Sequence, residues 1–379
     1  MARIWEKFRD VSAIGIADIS ASGISAIFWF YVASILGPET YGHITYALSI
    51  AGLASTISLL GASNTLTVYT AKKIPIQSAL YVLTLAVGLI SSIIVFFIFF
   101  DIGVSFLIFG YIIFGLIIAE ILGRKLYKEY AKYVLTQRIL MVILAIAFYH
   151  IIGEVGIIIG ISSSFVPYTY GIVKGFRKNK INFTLVRERI GFIRNSYLQT
   201  LSGVLSGSLD KLIIGPLFGF ALLGNYSLGL QFLTLLTLIP IAVSSYLISH
   251  DATGNENKKL KKMLILFSVG LAILGFTIGP LVVTSVFPKF TESEEVIRIV
   301  SISVIPSTIT MTYQTKFLGR EKSQLVLISS SIWTGTQIIS ILVLGNYFGV
   351  NGIAFSLVIG TTSAAVYSFF ANKMISNEL

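Results

Sequence analysis

"LGPETYGHIT" (Leu36–Thr45) sets two glycines, a proline, a glutamate and a tyrosine between two long apolar runs, and "FGFALLGNYS" (Phe218–Ser227) repeats the glycine spacing much later in the chain. Gly37 and Gly42 stand five apart, as do Gly219 and Gly224. Pro38 cannot continue a helix interior and glycine admits tight turns, so each stretch reads as an extracellular turn. It joins the first helix to the second, and the seventh to the eighth, as hairpins. A turn shared in this way puts two halves of one chain in register.

The flanking runs are membrane spans. Hydrophobic residues make up 55% of the 379 and charged ones 12%, with a mean hydropathy of +0.86. Soluble globular chains carry roughly 25% charged residues. Twelve apolar stretches are long enough to cross about 30 Å of hydrocarbon at about 20 residues each: 11–35, 42–69, 78–100, 102–122, 133–152, 154–174, 195–218, 222–248, 263–286, 295–317, 323–345 and 350–372. The chain reads as an all-α integral membrane protein with twelve transmembrane helices.

Basic residues give the orientation. Arg3, Lys7 and Arg9 precede the first span, and every second connection is basic: Lys72 and Lys73; Arg124, Lys125, Lys128 and Lys132; Lys174 to Arg194; Lys258 to Lys262; Lys316, Arg320 and Lys322. By the positive-inside rule both termini are cytoplasmic, in agreement with the even span count. The net charge of +11 lies mainly in these loops, so it is a topology signal and implies no nucleic-acid partner. With no Cys there is no disulfide framework and no thiolate metal site. His43, His150 and His250 are scattered without metal-ligand spacing, and no Gly-rich phosphate loop carries a Lys. No metal site, catalytic constellation or ATP hydrolysis is expected. The first apolar run exceeds a signal-peptide core and is expected to remain as the first helix.

The longest loop divides six spans from six. The expected organisation is an N-terminal six-helix lobe, 1–175, a cytoplasmic inter-lobe loop, 176–194, and a C-terminal six-helix lobe, 195–379. Two further pairs support a repeat: Lys125 before "LYKEYAKYVL" with Lys316 before "FLGREKSQLVL", and "GEVGI" from Gly153 with "GVNGI" from Gly349. The offsets are 182, 191 and 196 in chain order. Six is even, so the second half enters from the same face as the first. The two lobes then form a parallel repeat about a pseudo-two-fold axis along the membrane normal.

Polar stripes inside spans mark packed or water-facing surface. The first helix carries Gly15, Asp18, Ser22 and Ser25 on one face, and the seventh carries Gln199, Ser202, Ser206 and Asp210, with Thr200, Gly203, Gly207 and Lys211 beside them. Two equivalent helices with inward polar faces imply a central cavity. Asp18, Ser22, Ser25, Gln199, Ser206 and Lys211 are the candidate substrate contacts. An ionisable group near the bilayer centre costs about 2.5–3.5 kcal/mol on insertion scales, so Asp18, Asp210 and Lys211 need a reason to be there. Lys211 reads as a contact for an anionic substrate or as a snorkelling lysine. Asp210 reads as a cation or proton site or as a structural partner of a neighbouring helix. As sequence neighbours they point about 100° apart on a helix, which keeps them from simply neutralising each other. Glu120 and Arg138, near helix ends, read as interfacial anchors.

The runs "YVASILGPETYGHITYALSIAGLASTISLLGASNTLTVYTAKK" (Tyr31–Lys73) and "LDKLIIGPLFGFALLGNYSLGLQFLTLLTLIP" (Leu209–Pro240) resemble the best recognised segments of polysaccharide flippases of the O-antigen translocase type. Their superfamily also holds multidrug and toxin extrusion transporters and lipid II flippases. The resemblance implies a two-lobed bundle that moves a lipid-linked sugar from the cytoplasmic to the outer leaflet by alternating access. It implies that Lys211 meets the phosphate or pyrophosphate of the lipid carrier. It also implies that Asp210 belongs to the ion-binding helix, with Na+ or H+ as coupling ion and no other cofactor. The address implied is a prokaryotic cell membrane. The expected partners are the lipid-linked sugar, membrane lipids and glycan-assembly enzymes.

Three other classes stand beside this reading, the third being a non-transporting membrane scaffold, against which the charges inside the spans argue. A multidrug extruder of the same superfamily would prefer organic cations and an acidic cavity, which Asp18 and Asp210 would supply. A membrane glycosyltransferase or polymerase would need a large outer loop, and the outward connections are short; "TESEEV" from Thr291, the best outer carboxylate cluster, reads as the capped start of a helix. The chain is expected not to be an enzyme.

Overall fold

The computed structural model describes residues 2–178, 180–252, 257–320 and 322–377, and the side chains of residues 2–13 lie outside the described residues. The helices are α1 (Ala2–Ile35), α2 (Pro38–Leu59), α3 (Ala62–Ala71), α4 (Gln77–Phe99), α5 (Ile102–Gly123), α6 (Tyr127–Ile152), α7 (Val155–Ser163) and, after a 3-10 turn at Val166–Tyr168, α8 (Thr169–Lys178). They continue as α9 (Phe183–Arg187), α10 (Ile190–Phe218), α11 (Phe220–Ala252), α12 (Lys258–Val286), α13 (Ser293–Ile302), α14 (Val304–Gly319) and α15 (Ser323–Asn377). No strand occurs among the described residues. The segment expected as a loop, 176–194, is largely helical: α8 runs into it, α9 lies within it, and α10 begins five residues before the expected span.

Among the described residues nine stretches are long and apolar enough to cross a membrane. Two bent pairs pass the same test together, Pro38–Leu59 with Ala62–Ala71 (47°) and Ile190–Leu205 with Gly207–Phe218 (48°). The last of the nine, Ser323–Met374, has 52 residues and breaks at Gly349 (φ 55°, ψ −134°), so it holds two spans. The chain is a multi-pass membrane protein with nine to eleven such stretches among the described residues, and twelve when the last is divided at Gly349.

The chain forms two compact units. One comprises the chain up to Ser25 with Ala47–Ser208, the other Ala26–Tyr46 with Leu209 onward. In the first, α5 packs against α3, α4 and α7, and its Leu107, Ile108, Ile112 and Leu116 are fully buried. In the second, Ile214, Tyr226, Val296, Val300, Ile341 and Ile353 form a core drawn from α10, α11, α13 and α15. Lipid tails are as apolar as these side chains, so close packing and polar contacts hold such helices together.

The opening stretches do more than turn. Gly37 precedes α2, which Pro38 opens, and Gly219 (φ 100°) separates α10 from α11. Gly42 and Gly224, also expected in turns, lie inside α2 and α11. A Cβ on Gly42 would stand 1.9 Å from the carbonyl oxygen of Phe220, and one on Gly224 would stand 1.8 Å from that of Pro38. Phe220 is Pro38 plus 182 and Gly224 is Gly42 plus 182, so the two contacts are one contact applied twice. The Thr45 and Ser227 hydroxyls, related by the same offset, meet at 3.2 Å. Two equivalent helix starts therefore cross backbone to backbone in a self-complementary contact, as at a two-fold axis.

The second register of the repeat is 196 throughout. Gly153 (φ 73°, ψ −150°) and Gly349 (φ 55°, ψ −134°) adopt the same glycine-favouring conformation. Three residues on, a Cβ on Gly156 would stand 2.2 Å from the Phe148 carbonyl oxygen, and one on Gly352 2.0 Å from that of Leu344. The ends of α5 and α14 match too: Arg124 N–H bonds to Glu120 and Leu122 carbonyls, and Arg320 N–H to those of Lys316 and Leu318. Leu126 N–H reaches Ile121 O as Lys322 N–H reaches Phe317 O. Lys125 therefore does not pair with Lys316; Gly123-Arg124 pairs with Gly319-Arg320.

Candidate functional site

The bend between α2 and α3 is built by Leu60 (φ 50°) and Gly61 (φ 74°). It brings α10 against Gly61 so closely that a Cβ there would stand 2.5 Å from the Tyr197 nitrogen and 2.8 Å from the Ile193 oxygen. Beside this contact lies a cleft of about 510 Å3, lined from α3 by Asn64, Thr67 and Val68 and from α10 by Phe192, Asn195, Ser196 and Gln199. The spacings 64, 67, 68 and 192, 195, 196, 199 put one face of each helix on the cleft. Of the expected contacts, Gln199 is exposed on this wall. The lining has no charged side chain, and its amides each offer both donors and acceptors. At its edge Phe192 packs edge-on to Tyr69 at 5.4 Å. Lys72 and Arg189 lie over the Tyr69 ring at 5.7 and 5.2 Å.

Asp18 of α1 is exposed and accepts a hydrogen bond from the Tyr130 hydroxyl at 2.7 Å. Arg138, about two turns beyond Tyr130 along α6, is half-buried and interacts electrostatically with Asp18 and Tyr111. Ser22 and Ser25 are half-buried on the same helix, and the Ser25 hydroxyl oxygen is buried with no hydrogen-bond partner. These residues belong to the first unit, with Gln199. The side chains of Ser206 and His250 lie outside the described residues.

Asp210 and Lys211 belong to the second unit. Contrary to the helical-wheel expectation, they are paired: Lys211 Nζ stands 3.4 Å from Asp210 Oδ1. The long lysine stem folds back where the helical wheel assumes side chains standing straight out. Asp210 is buried, and its other oxygen accepts from the Tyr226 hydroxyl at 3.1 Å, which in turn accepts from Gln337 Nε2 at 3.2 Å. The network joins α10, α11 and α15. Tyr226 carries no polar-stripe signal, because in sequence it is one aromatic residue in an apolar helix.

Two further carboxylates are buried, Glu120 and Asp251, of which only Asp251 carries no signal in the sequence. Glu120, expected as an anchor, is buried between Arg124 and the Tyr81 hydroxyl, both of which bond it. Asp251 is buried at the end of α11, where Oδ2 takes Lys261 Nζ at 2.7 Å and the Thr315 hydroxyl at 2.7 Å. At the acidic cluster from Thr291, α13 does begin at Ser293, but Glu292 gives no side-chain cap; Ser293 instead donates to Asn225. Among the described residues no group of three or more His, Cys, Asp and Glu is placed to hold a metal.

No family model matches the chain, and no curated protein does. Solved structures do. An inward-facing multidrug resistance MATE family transporter of the MOP superfamily superposes with a TM-score of 0.73 at 16% identity, over 94% of each chain. The lipid II flippase MurJ, in an inward closed conformation, gives a TM-score of 0.73 at 15% identity, over 95% of this chain and 87% of that one. A MOP superfamily transporter from Pyrococcus furiosus, described as having a binding pocket of reverse polarity, gives 0.62 at 16% identity, over 96% and 95%. The chain has the fold of these transport proteins, none of which is an enzyme.

Proposed function

We propose that the chain is a flippase. It carries an oligosaccharide linked through phosphate or pyrophosphate to a polyprenyl lipid from the cytoplasmic to the outer leaflet of the cell membrane, for polysaccharide or glycan biosynthesis. The observation that carries this reading is the uncharged, amide- and hydroxyl-lined cleft beside α10. A sugar head group cannot shed water into hydrocarbon without replacement hydrogen bonds, and amides replace both its donors and its acceptors. An organic cation gains little from such a wall. The likeness to a lipid II flippase supports the same substrate class.

The fold supplies transport by alternating access, and both termini are cytoplasmic in this reading. Lys211 meets the lipid phosphate, exchanging the Asp210 carboxylate at 3.4 Å for a phosphate oxygen. Asp210, released from its cation, then takes Na+ or H+. The lobes are the two sequence halves, 1–175 and 195–379, and glycan-assembly enzymes supply and consume the cargo. The test is leaflet exchange of a lipid-pyrophosphate oligosaccharide in liposomes, with native protein, Lys211→Ala and Gln199→Ala. Exchange that needs the native protein and slows in both variants supports the reading; no exchange above empty liposomes with folded protein overturns it.

A second reading, extrusion of organic cations, draws on the equal TM-score of the MATE transporter and on the buried carboxylate of Asp210. It predicts cation efflux that Asp210→Asn abolishes, without sugar-lipid exchange.

A further inference from the structure

The second unit holds a separate cavity of about 180 Å3 between α14 and the two halves of α15. Its walls include Thr310 and Gln314 from α14, Ser329 and Trp333 from the first half of α15, and Thr361 and Ala364 from the second. No charged side chain lines it. At about 30 Å3 per water in the liquid it has room for some six waters, or for one small ring.

The polar chemistry of the wall is lopsided. The Thr310 hydroxyl donates to Pro306 O at 3.0 Å and the Thr361 hydroxyl to Leu357 O at 2.8 Å. The Ser329 hydroxyl is shared with Ser368 at 3.1 Å. Hydroxyls whose hydrogens are spent on carbonyls keep their lone pairs for an occupant. The indole nitrogen of Trp333 is buried with no hydrogen-bond partner, so the ring meets the cavity through its carbons. Gly360 holds the ring there, since a Cβ on it would stand 2.7 Å from Trp333 Cδ1. An occupant that suits this wall donates several hydrogen bonds, carries no charge and presents C–H groups to an indole.

We propose that this cavity is a subsite for one uncharged pyranose ring of the cargo, with Trp333 as its aromatic platform and Gln314 bonding its hydroxyls. The identification of the ring as cargo rests on the flippase reading. A sugar suits the wall because each of its hydroxyls donates and accepts, meeting the threonine oxygens and both ends of the Gln314 amide. Trp333 stands one helical turn from Gln337, which bonds Tyr226 and through it Asp210, so the occupant sits next to the network assigned to the coupling ion.

The chain has three tryptophans, so Trp5→Phe/Trp29→Phe leaves Trp333 as the sole reporter. The full-length protein in lipid nanodiscs is titrated with methyl glycosides of glucose, galactose, N-acetylglucosamine and rhamnose while Trp333 emission is recorded. Leaflet exchange is measured in parallel. The expected result is a saturable change with at least one glycoside, weakened at least tenfold by Ala364→Leu, which fills the cavity; thermal unfolding checks that this variant folds. No change with any glycoside, or a change that Ala364→Leu leaves intact, overturns the proposal and makes the cavity a hydrated void. Leaflet exchange without a Trp333 response removes the subsite and keeps the flippase. A Trp333 response without leaflet exchange keeps the sugar site and removes the flippase.

Discussion

Replacing Gly42 by Ala tests the crossing of α2 and α11 at its tightest point. The new methyl would stand 1.9 Å from Phe220 O, 2.8 Å from Phe220 C and 3.0 Å from Gly224 N, all backbone atoms that cannot rotate aside. A carbon rests against a carbonyl oxygen at about 3.3–3.6 Å, so the helices must part by about 1.5 Å. Overpacking of this kind costs about 1–3 kcal/mol, and replacing Gly by Ala inside a helix returns up to about 1 kcal/mol. The expected net loss is about 1–2 kcal/mol, measured by reversible denaturant unfolding in detergent micelles. Gly52→Ala in the same helix, where a Cβ meets nothing within 4 Å, is the control and should be neutral or stabilising. Gly224→Ala should cost as much as Gly42→Ala because the contact is self-complementary. The double variant should cost well under the sum, since one separation relieves both clashes. A direct readout comes from Thr45→Cys/Ser227→Cys, whose native oxygens are 3.2 Å apart in a chain without cysteines. The disulfide should form readily and severalfold more slowly with Gly42→Ala. Native stability and native cross-linking in Gly42→Ala, or full additivity of the two alanines, would refute the contact.

Tyr226→Phe removes the hydroxyl that Asp210 and Gln337 share and should destabilise by about 1–3 kcal/mol in thermal unfolding, as expected for a buried acceptor losing its donor; an unchanged Tm would remove the network. Lys261→Met leaves the Asp251 carboxylate buried and without its cation, for an expected loss of about 3–5 kcal/mol. Adding Asp251→Asn should recover most of it, and failure to do so would show that the lysine stem, not its charge, matters. Gly61→Ala combines a left-handed backbone, costing about 1–2 kcal/mol for an L-residue, with a methyl 2.5 Å from the Tyr197 nitrogen. It should lower the yield of folded protein far more than Gly52→Ala, and equal yields would mean that α10 does not rest on Gly61.

The membrane-crossing runs and the glycine register are legible because both are written in residue types. Lipid requires long apolar runs, and only glycine fills Gly153, Gly349 and the Gly42–Gly224 crossing. What composition cannot distinguish is a glycine that turns a chain from one that lets two helices touch. Gly42 and Gly224 were read as the former and are the latter, and the structure separates the cases through φ and through what a Cβ would meet. The Lys125–Lys316 register fails for a related reason: lysines at span ends are interchangeable, whereas helix caps are fixed by backbone hydrogen bonds. The break within the span 42–69 is not legible, because Leu60 takes a positive φ that no leucine announces.

The site was legible as stripes but not as pairs. Asp18, Gln199, Asp210 and Lys211 stood out by polarity within apolar helices. Their partners Tyr130, Arg138 and Tyr226 lie on other helices at separations that no periodicity marks. These partners bear on mechanism, because nearly every carboxylate buried among the helices is already answered: Glu120 by Arg124, Asp251 by Lys261, Asp210 by Lys211. A cargo phosphate that takes Lys211 must therefore compete with Asp210, and the competition makes a signed prediction. Asp210→Asn removes the competitor, so in the flippase reading the variant should bind a lipid-linked pyrophosphate more tightly than native protein while losing the dependence of exchange on Na+ or pH. In the multidrug reading the same substitution removes the binding charge, and affinity for an organic cation falls. Equilibrium binding of the two ligands to Asp210→Asn separates the readings by the direction of the change alone, and a weaker grip on the pyrophosphate would end the role assigned to Lys211.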